Sequence, residues 1–72
     1  MYIVITHDNI TVTFDDFDDV KRFLFGECAK WVRDPNYIGD GVDTAEELFD
    51  YCMDENDFGS IAEVYKVEER YL

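Results

Sequence analysis

The chain has 72 residues, of which 18 are acidic and six basic, for a net charge of −12. That length supports one domain, and an aromatic content of 17% separates it from disordered acidic tails, which lack large apolar residues. The charge argues against binding nucleic acid through its phosphates and against anionic membrane surfaces, and leaves a cation or a basic protein surface as the complementary partner.

Residues 2–6, Tyr2-Ile3-Val4-Ile5-Thr6, are β-branched and aromatic, as are residues 10–14. In the second run Ile10, Val12 and Phe14 alternate onto one face, and His7-Asp8-Asn9 between the runs is a turn-forming cluster. The pattern predicts a β-hairpin. Asp15 and Asp16 are then N-cap candidates, with Asp18 and Asp19 in the first turn of a helix. Its apolar positions are Phe17, Val20, Phe23, Leu24, Cys28, Trp31 and Val32. Lys30 and Arg33 suit its last turn, and Pro35 stops it at or before Asp34. Gly26 inside the helix suggests a close approach to the sheet.

Residues 34–42 read as a loop with two glycines. A second helix starts near Asp43 or Thr44, where Thr44 and Glu47 match a capping box. Ala45, Leu48, Phe49, Cys52 and Met53 form its apolar stripe, and it ends around Asn56-Asp57-Phe58-Gly59, where Gly59 suits a stop. Ser60 to Glu63 fits another capping box, yet Ile61, Val64, Tyr65 and Val67 favour a strand. A two-stranded hairpin alone is marginal, so residues 61–67 are read as a third strand. The expected architecture is a small single α+β domain over residues 1–72, with a three-stranded, mainly antiparallel sheet packed with two helices in the order β-β-α-α-β.

Cys28 and Cys52 both fall on apolar stripes and read as reduced core residues. Phe14, Phe17, Phe23, Trp31 and Phe49 fit core positions, whereas Phe25, Tyr37, Tyr51 and Tyr71 fall off the stripes. The opening segment MYIVITHDN lacks the basic n-region of a signal peptide, and no run of about 18 apolar residues exists, so a cytoplasmic location is expected.

The charge is unevenly spread. Residues 34–65 contain ten acids and no base, and so account for ten of the twelve net charges. At about 100° per residue Glu46, Asp50, Asp54 and Asp57 fall in one narrow arc, with Asp43 and Glu47 beside it. Like charges four apart on a helix are destabilising by a few tenths of a kcal/mol per pair. Solubility of a small domain needs a net charge of only about 2–8 in magnitude. The excess therefore points to a row of carboxylates offered to a groove lined with Lys and Arg. Asp40, Asp43, Glu46, Glu47, Asp50, Asp54 and Asp57 are the expected partner-binding residues.

Other chemistries fit poorly. Asp54 to Ile61 resembles the start of an EF-hand loop but has Phe58 at the fifth position and Tyr65 at the twelfth, where oxygen ligands belong. One His and two distant Cys make no transition-metal cluster. His7 lies in the turn and Cys28 on the core stripe, away from any nucleophile–base pairing. Gly39-Asp40-Gly41 places a negative charge where a phosphate would sit. Neither an enzyme nor a cofactor or metal site is expected.

In size, charge and layout, with an ITVTF-DDF junction from hairpin to helix followed by an acidic helix, the chain resembles the small acidic inhibitors made by bacteriophages, notably anti-CRISPR proteins and other DNA mimics. The resemblance implies stoichiometric blocking of a basic nucleic-acid-binding protein in the bacterial cytoplasm. The alternative is a cytosolic protein–protein interaction module whose acidity serves solubility and partner choice, its partner including a second copy paired through the sheet edge or an aromatic patch.

Overall fold

The first β-branched run forms β1, Tyr2–Thr6, and the second forms β2, Thr11–Phe14. The computed structural model describes residues 1–66 and 69–72. The two strands pair antiparallel, with Val4 opposite Val12 and Tyr2 opposite Phe14. Asn9 between them takes a left-handed backbone, φ 63°, which Asn tolerates better than most residues. Its N–H donates to the Thr6 carbonyl, and the Thr6 N–H donates to the Ile10 carbonyl, both at 2.9 Å. This closure keeps Ile10 at the turn and 56% exposed, not at the head of the core face as its alternation suggests.

The ambiguous segment is a strand, β3, Ala62–Lys66, which pairs antiparallel with the free side of β1 and sets Val64 opposite Val4. Val67, the last residue of the expected strand, lies outside the described residues. A fourth strand, β4, Glu69–Arg70, corrects the three-stranded expectation, and the sheet runs β2-β1-β3-β4 in the chain order ββααββ. A charged dipeptide has no strand periodicity to read. It is held by its partner: Arg70 lies opposite Tyr65, with its guanidinium 5.6 Å from the ring centroid. Beyond it the Tyr71 and Leu72 amides both donate to the Val64 carbonyl, as in a β-bulge, and Leu72 is buried.

Helix α1, Phe17–Arg33, begins at Asp16, whose side chain accepts from the Asp18 N–H at 3.0 Å. It ends with Lys30 and Arg33 in the last turn and Asp34 in extended backbone before Pro35, as expected. Val20, Leu24 and Cys28 are its buried row. Gly26 is exposed, and a Cβ there would meet nothing within 4 Å, so the expected approach to the sheet is absent. It stands two residues from Leu24, about 200° round the helix, on the side facing water.

Helix α2, Ala45–Glu55, carries the full capping box: the Glu47 N–H donates to Thr44 Oγ1 at 3.1 Å and the Thr44 N–H to Glu47 Oε1 at 3.2 Å. It stops at Asn56, the first residue of the expected 56–59 end, and Gly59 is not its cap. Asn56 is left-handed, its N–H donates to the Met53 carbonyl, and the Asp57 N–H donates to that of Cys52, a Schellman closure. Helix α1 packs against β1, β2 and α2. The core joins Val4 and Val64 of the sheet to Val20, Leu24 and Cys28 of α1 and Leu48 and Cys52 of α2. Its largest fully buried side chain is Phe58, 1% exposed, from the connection after α2.

Two outcomes follow from this packing. Gly26→Ala should raise stability by roughly 0.5–1 kcal/mol in urea unfolding, because it removes unfolded-state freedom and meets no neighbour; a loss would mean that the backbone there is closely approached. Burial pushes the Cys28 thiol up to about 12 from an ordinary 9.0, and burial and then the Asp57 charge push Cys52 up as well. The linked stability is therefore intact below the ordinary thiol value and is lost as pH rises from there through the folded-state value. Alkylation of the native protein at about pH 8 should be slow at both thiols and become fast only on denaturation.

Candidate functional site

Helix α2 divides along its length. Leu48 and Cys52 are buried, and Ala45, Phe49 and Met53 flank them half-buried. The opposite side exposes Glu46, Glu47, Asp50, Asp54 and Glu55, together with Tyr51. Glu46, Asp50 and Asp54 follow one another at four-residue steps, about 6 Å apart along the axis, so they form one ridge. The loop before the helix brings Asp40 and Asp43 to its N-terminal end, both exposed. That loop is tightly folded: Val42 N–H donates to the Gly39 carbonyl at 3.0 Å, and the Tyr37 hydroxyl donates to the Val42 carbonyl. A Cβ at Gly39 would collide with the Val42 carbonyl oxygen. Burial, and next the Asp43 charge, raise the Tyr37 hydroxyl above its usual pKa.

Asp57 leaves the ridge. The sequence placed it in the arc by continuing the helix, but the left-handed Asn56 ends the helix two residues earlier. Asp57 Oδ1 instead accepts from the Gly59 N–H at 2.8 Å and holds the turn. Glu47 is exposed, and its carboxylate closes the capping box.

The electrostatics of the two helices differ. Among the described residues the ion pairs are Lys21–Asp18, Arg22–Asp19 and Lys30–Glu27, all within α1. None reaches an acid of α2. Acids in the first turn of α2 favour its dipole, but Asp54 and Glu55 stand at the negative end, and the last turn has no base.

An open cleft of about 500 Å³ lies at that same end, between Trp31 of α1, Leu48, Tyr51 and Glu55 of α2, and Asp57 and Phe58 of the connection. Sequence reasoning did not find it. Tyr51 and Glu55 are four apart on α2, which places them side by side, but the part played by Trp31 and Phe58 depends on how the two helices meet. His7 stacks edge-on against Trp31, with ring centroids 5.2 Å apart. Cys28 is fully buried away from solvent. No protein-family model, curated protein or solved structure matches the chain. No helix among the described residues is long and apolar enough to cross a membrane.

The unpaired acids set a stability signature. Asp54→Lys should stabilise the protein by roughly 0.3–1 kcal/mol at low salt, through the dipole and relief of repulsion, and the gain should shrink as salt is added. Glu46→Lys should gain less, because it gives up a favourable first-turn charge. Thermal unfolding of the two variants at low and moderate salt checks both signs.

Proposed function

We propose that the protein is an acidic, stoichiometric inhibitor. It lays the exposed side of α2 on a basic nucleic-acid-binding surface of a bacterial defence protein, such as a CRISPR–Cas effector, and imitates phosphate charge there. The observation that supports this most is the density of unpaired charge on α2. The helix has 11 residues and five acids, which at 1.5 Å per residue is one charge per roughly 3.3 Å. One strand of DNA carries one charge per about 3.4 Å. A groove built to bind that strand meets a similar linear charge, already ordered and with no base beside it to compete. Asp40 and Asp43 extend the charge beyond the N-terminal end of the helix. Release of counterions from both surfaces then favours association, as it does for DNA.

A second reading, a plain interaction module in the cytoplasm, is favoured by exposed apolar side chains: Ile38 is 83% exposed and Phe25, Tyr51 and Tyr71 are also open. Apolar association, including pairing of two copies, is insensitive to salt, whereas mimicry is not.

The experiment is a displacement assay with purified CRISPR–Cas effectors and labelled target DNA. The protein should displace the DNA at stoichiometric amounts, with an affinity that falls steeply as salt rises. Joint reversal of Glu46, Asp50 and Asp54 to Lys should abolish displacement while the fold persists, since all three are exposed. Single reversals should be mild, at about 0.2–1 kcal/mol each for rim pairs. A triple variant that displaces DNA at full strength, or a complex in which the nucleic-acid site stays free, would sink the mimicry and leave the interaction module.

A further inference from the structure

The acids of α2 explain attraction to a basic surface but not how a partner is held in register. The cleft at the C-terminal end of α2 supplies a candidate for that. We propose that this cleft receives an arginine side chain of the basic protein partner, an inference that rests on the reading above and deepens it.

The lining has the chemistry of a guanidinium site. Tyr51 and Trp31 offer aromatic walls, and Tyr51 is 55% exposed. Leu48 and Phe58 make the cleft apolar behind them. Glu55 and Asp57 place carboxylates among these walls, and no Lys, Arg or His lines the cleft. The turn fixes the Asp57 carboxylate through Oδ1, which accepts from the Gly59 N–H at 2.8 Å. The cleft also adjoins the last turn of α2, where the helix dipole is negative and where α1, by contrast, carries its own Lys30 and Arg33. The last turn of α2 has no base of its own, and Arg70, which shares an adjoining groove with Glu55 and Asp57, is engaged with the Leu72 carbonyl and the Tyr65 ring, so both carboxylates are left for a base from outside.

A second cleft that shares Trp31 is also acidic, lined by Asp8, Glu27 and Asp34. It differs in holding a cation of its own, Lys30, which is ion-paired to Glu27 at 3.0 Å. Arginine fits the open cleft better than lysine. Its guanidinium is planar, weakly hydrated, stacks on aromatic faces and binds carboxylates with two parallel hydrogen bonds. An ammonium is a strongly hydrated point charge that gains less from the walls.

The test is fluorescence titration of the full chain, through its one Trp, with nona-arginine and nona-lysine peptides at fixed ionic strength. The arginine peptide should bind roughly 3- to 5-fold more tightly and perturb Trp31 emission. Tyr51→Ala, at an exposed position, should erase that preference and leave the affinity for the lysine peptide unchanged. Asp57→Asn keeps the acceptor of the turn and should also reduce the preference. The triple reversal of Glu46, Asp50 and Asp54 should weaken both peptides equally and retain the preference. Equal affinity of the native protein for the two peptides, or a preference that survives Tyr51→Ala, overturns the cleft while leaving the acidic ridge standing. An arginine preference with no effect of the triple reversal supports the cleft and removes the ridge.

Discussion

Five carboxylates on α2 repel one another with no base on the helix to offset them, so what keeps α2 folded comes from its other side and its ends. Leu48 and Cys52 anchor it in the core, and Phe58 follows it in. Thr44 and Glu47 satisfy its first amides, and Asn56 closes its last carbonyls. Each of these is an uncharged or locally paired interaction that salt does not weaken much. The repulsion can therefore be tolerated on the surface because the packing beneath is independent of it. A domain of this size has a net stability of only about 3–5 kcal/mol from its core, so a helix carrying several unfavourable pairs leaves little margin.

Helix α1 shows that the chain is able to neutralise a helix surface. Its acids and bases alternate so that Asp18, Asp19 and Glu27 each meet a base three residues on. The same residue types are distributed quite differently in α2. Composition alone does not produce that contrast; placement does. A role in solubility would be met by acids spread over both helices. Their concentration on one exposed ridge, with a cleft of aromatic and acidic residues at its end, is what an oriented basic partner would use.

Local chemistry was legible in the sequence wherever one segment decided its own structure. The hairpin turn, the Asp16 cap, the stop before Pro35 and the Thr44–Glu47 box depend on residues within four positions of each other. Residues 61–67 were read as strand because a two-stranded hairpin alone is marginal, and Ala62–Lys66 do pair with β1. Features that depend on tertiary context were not legible. Glu69–Arg70 is a strand only because β3 is beside it, and Phe58 sits in no periodic segment, yet is the largest buried side chain. Asp57 was misplaced because a helical wheel assumes that the helix continues, and a left-handed Asn ends it. The acidic ridge itself was readable from spacing alone, whereas the cleft at its end required α1 and α2 to meet.

The central claim is that the exposed side of α2 is a contact surface and not only a solvated one. Amide chemical-shift mapping of the isotopically labelled protein, titrated with a purified CRISPR–Cas effector, tests this most directly. The account predicts that the largest changes fall on Glu46, Asp50 and Asp54 and continue through Tyr51 and Glu55 to Asp57, while α1 residues Asp18 to Arg22 stay unperturbed. Changes centred on the β2 edge or on α1, with α2 silent, would contradict it.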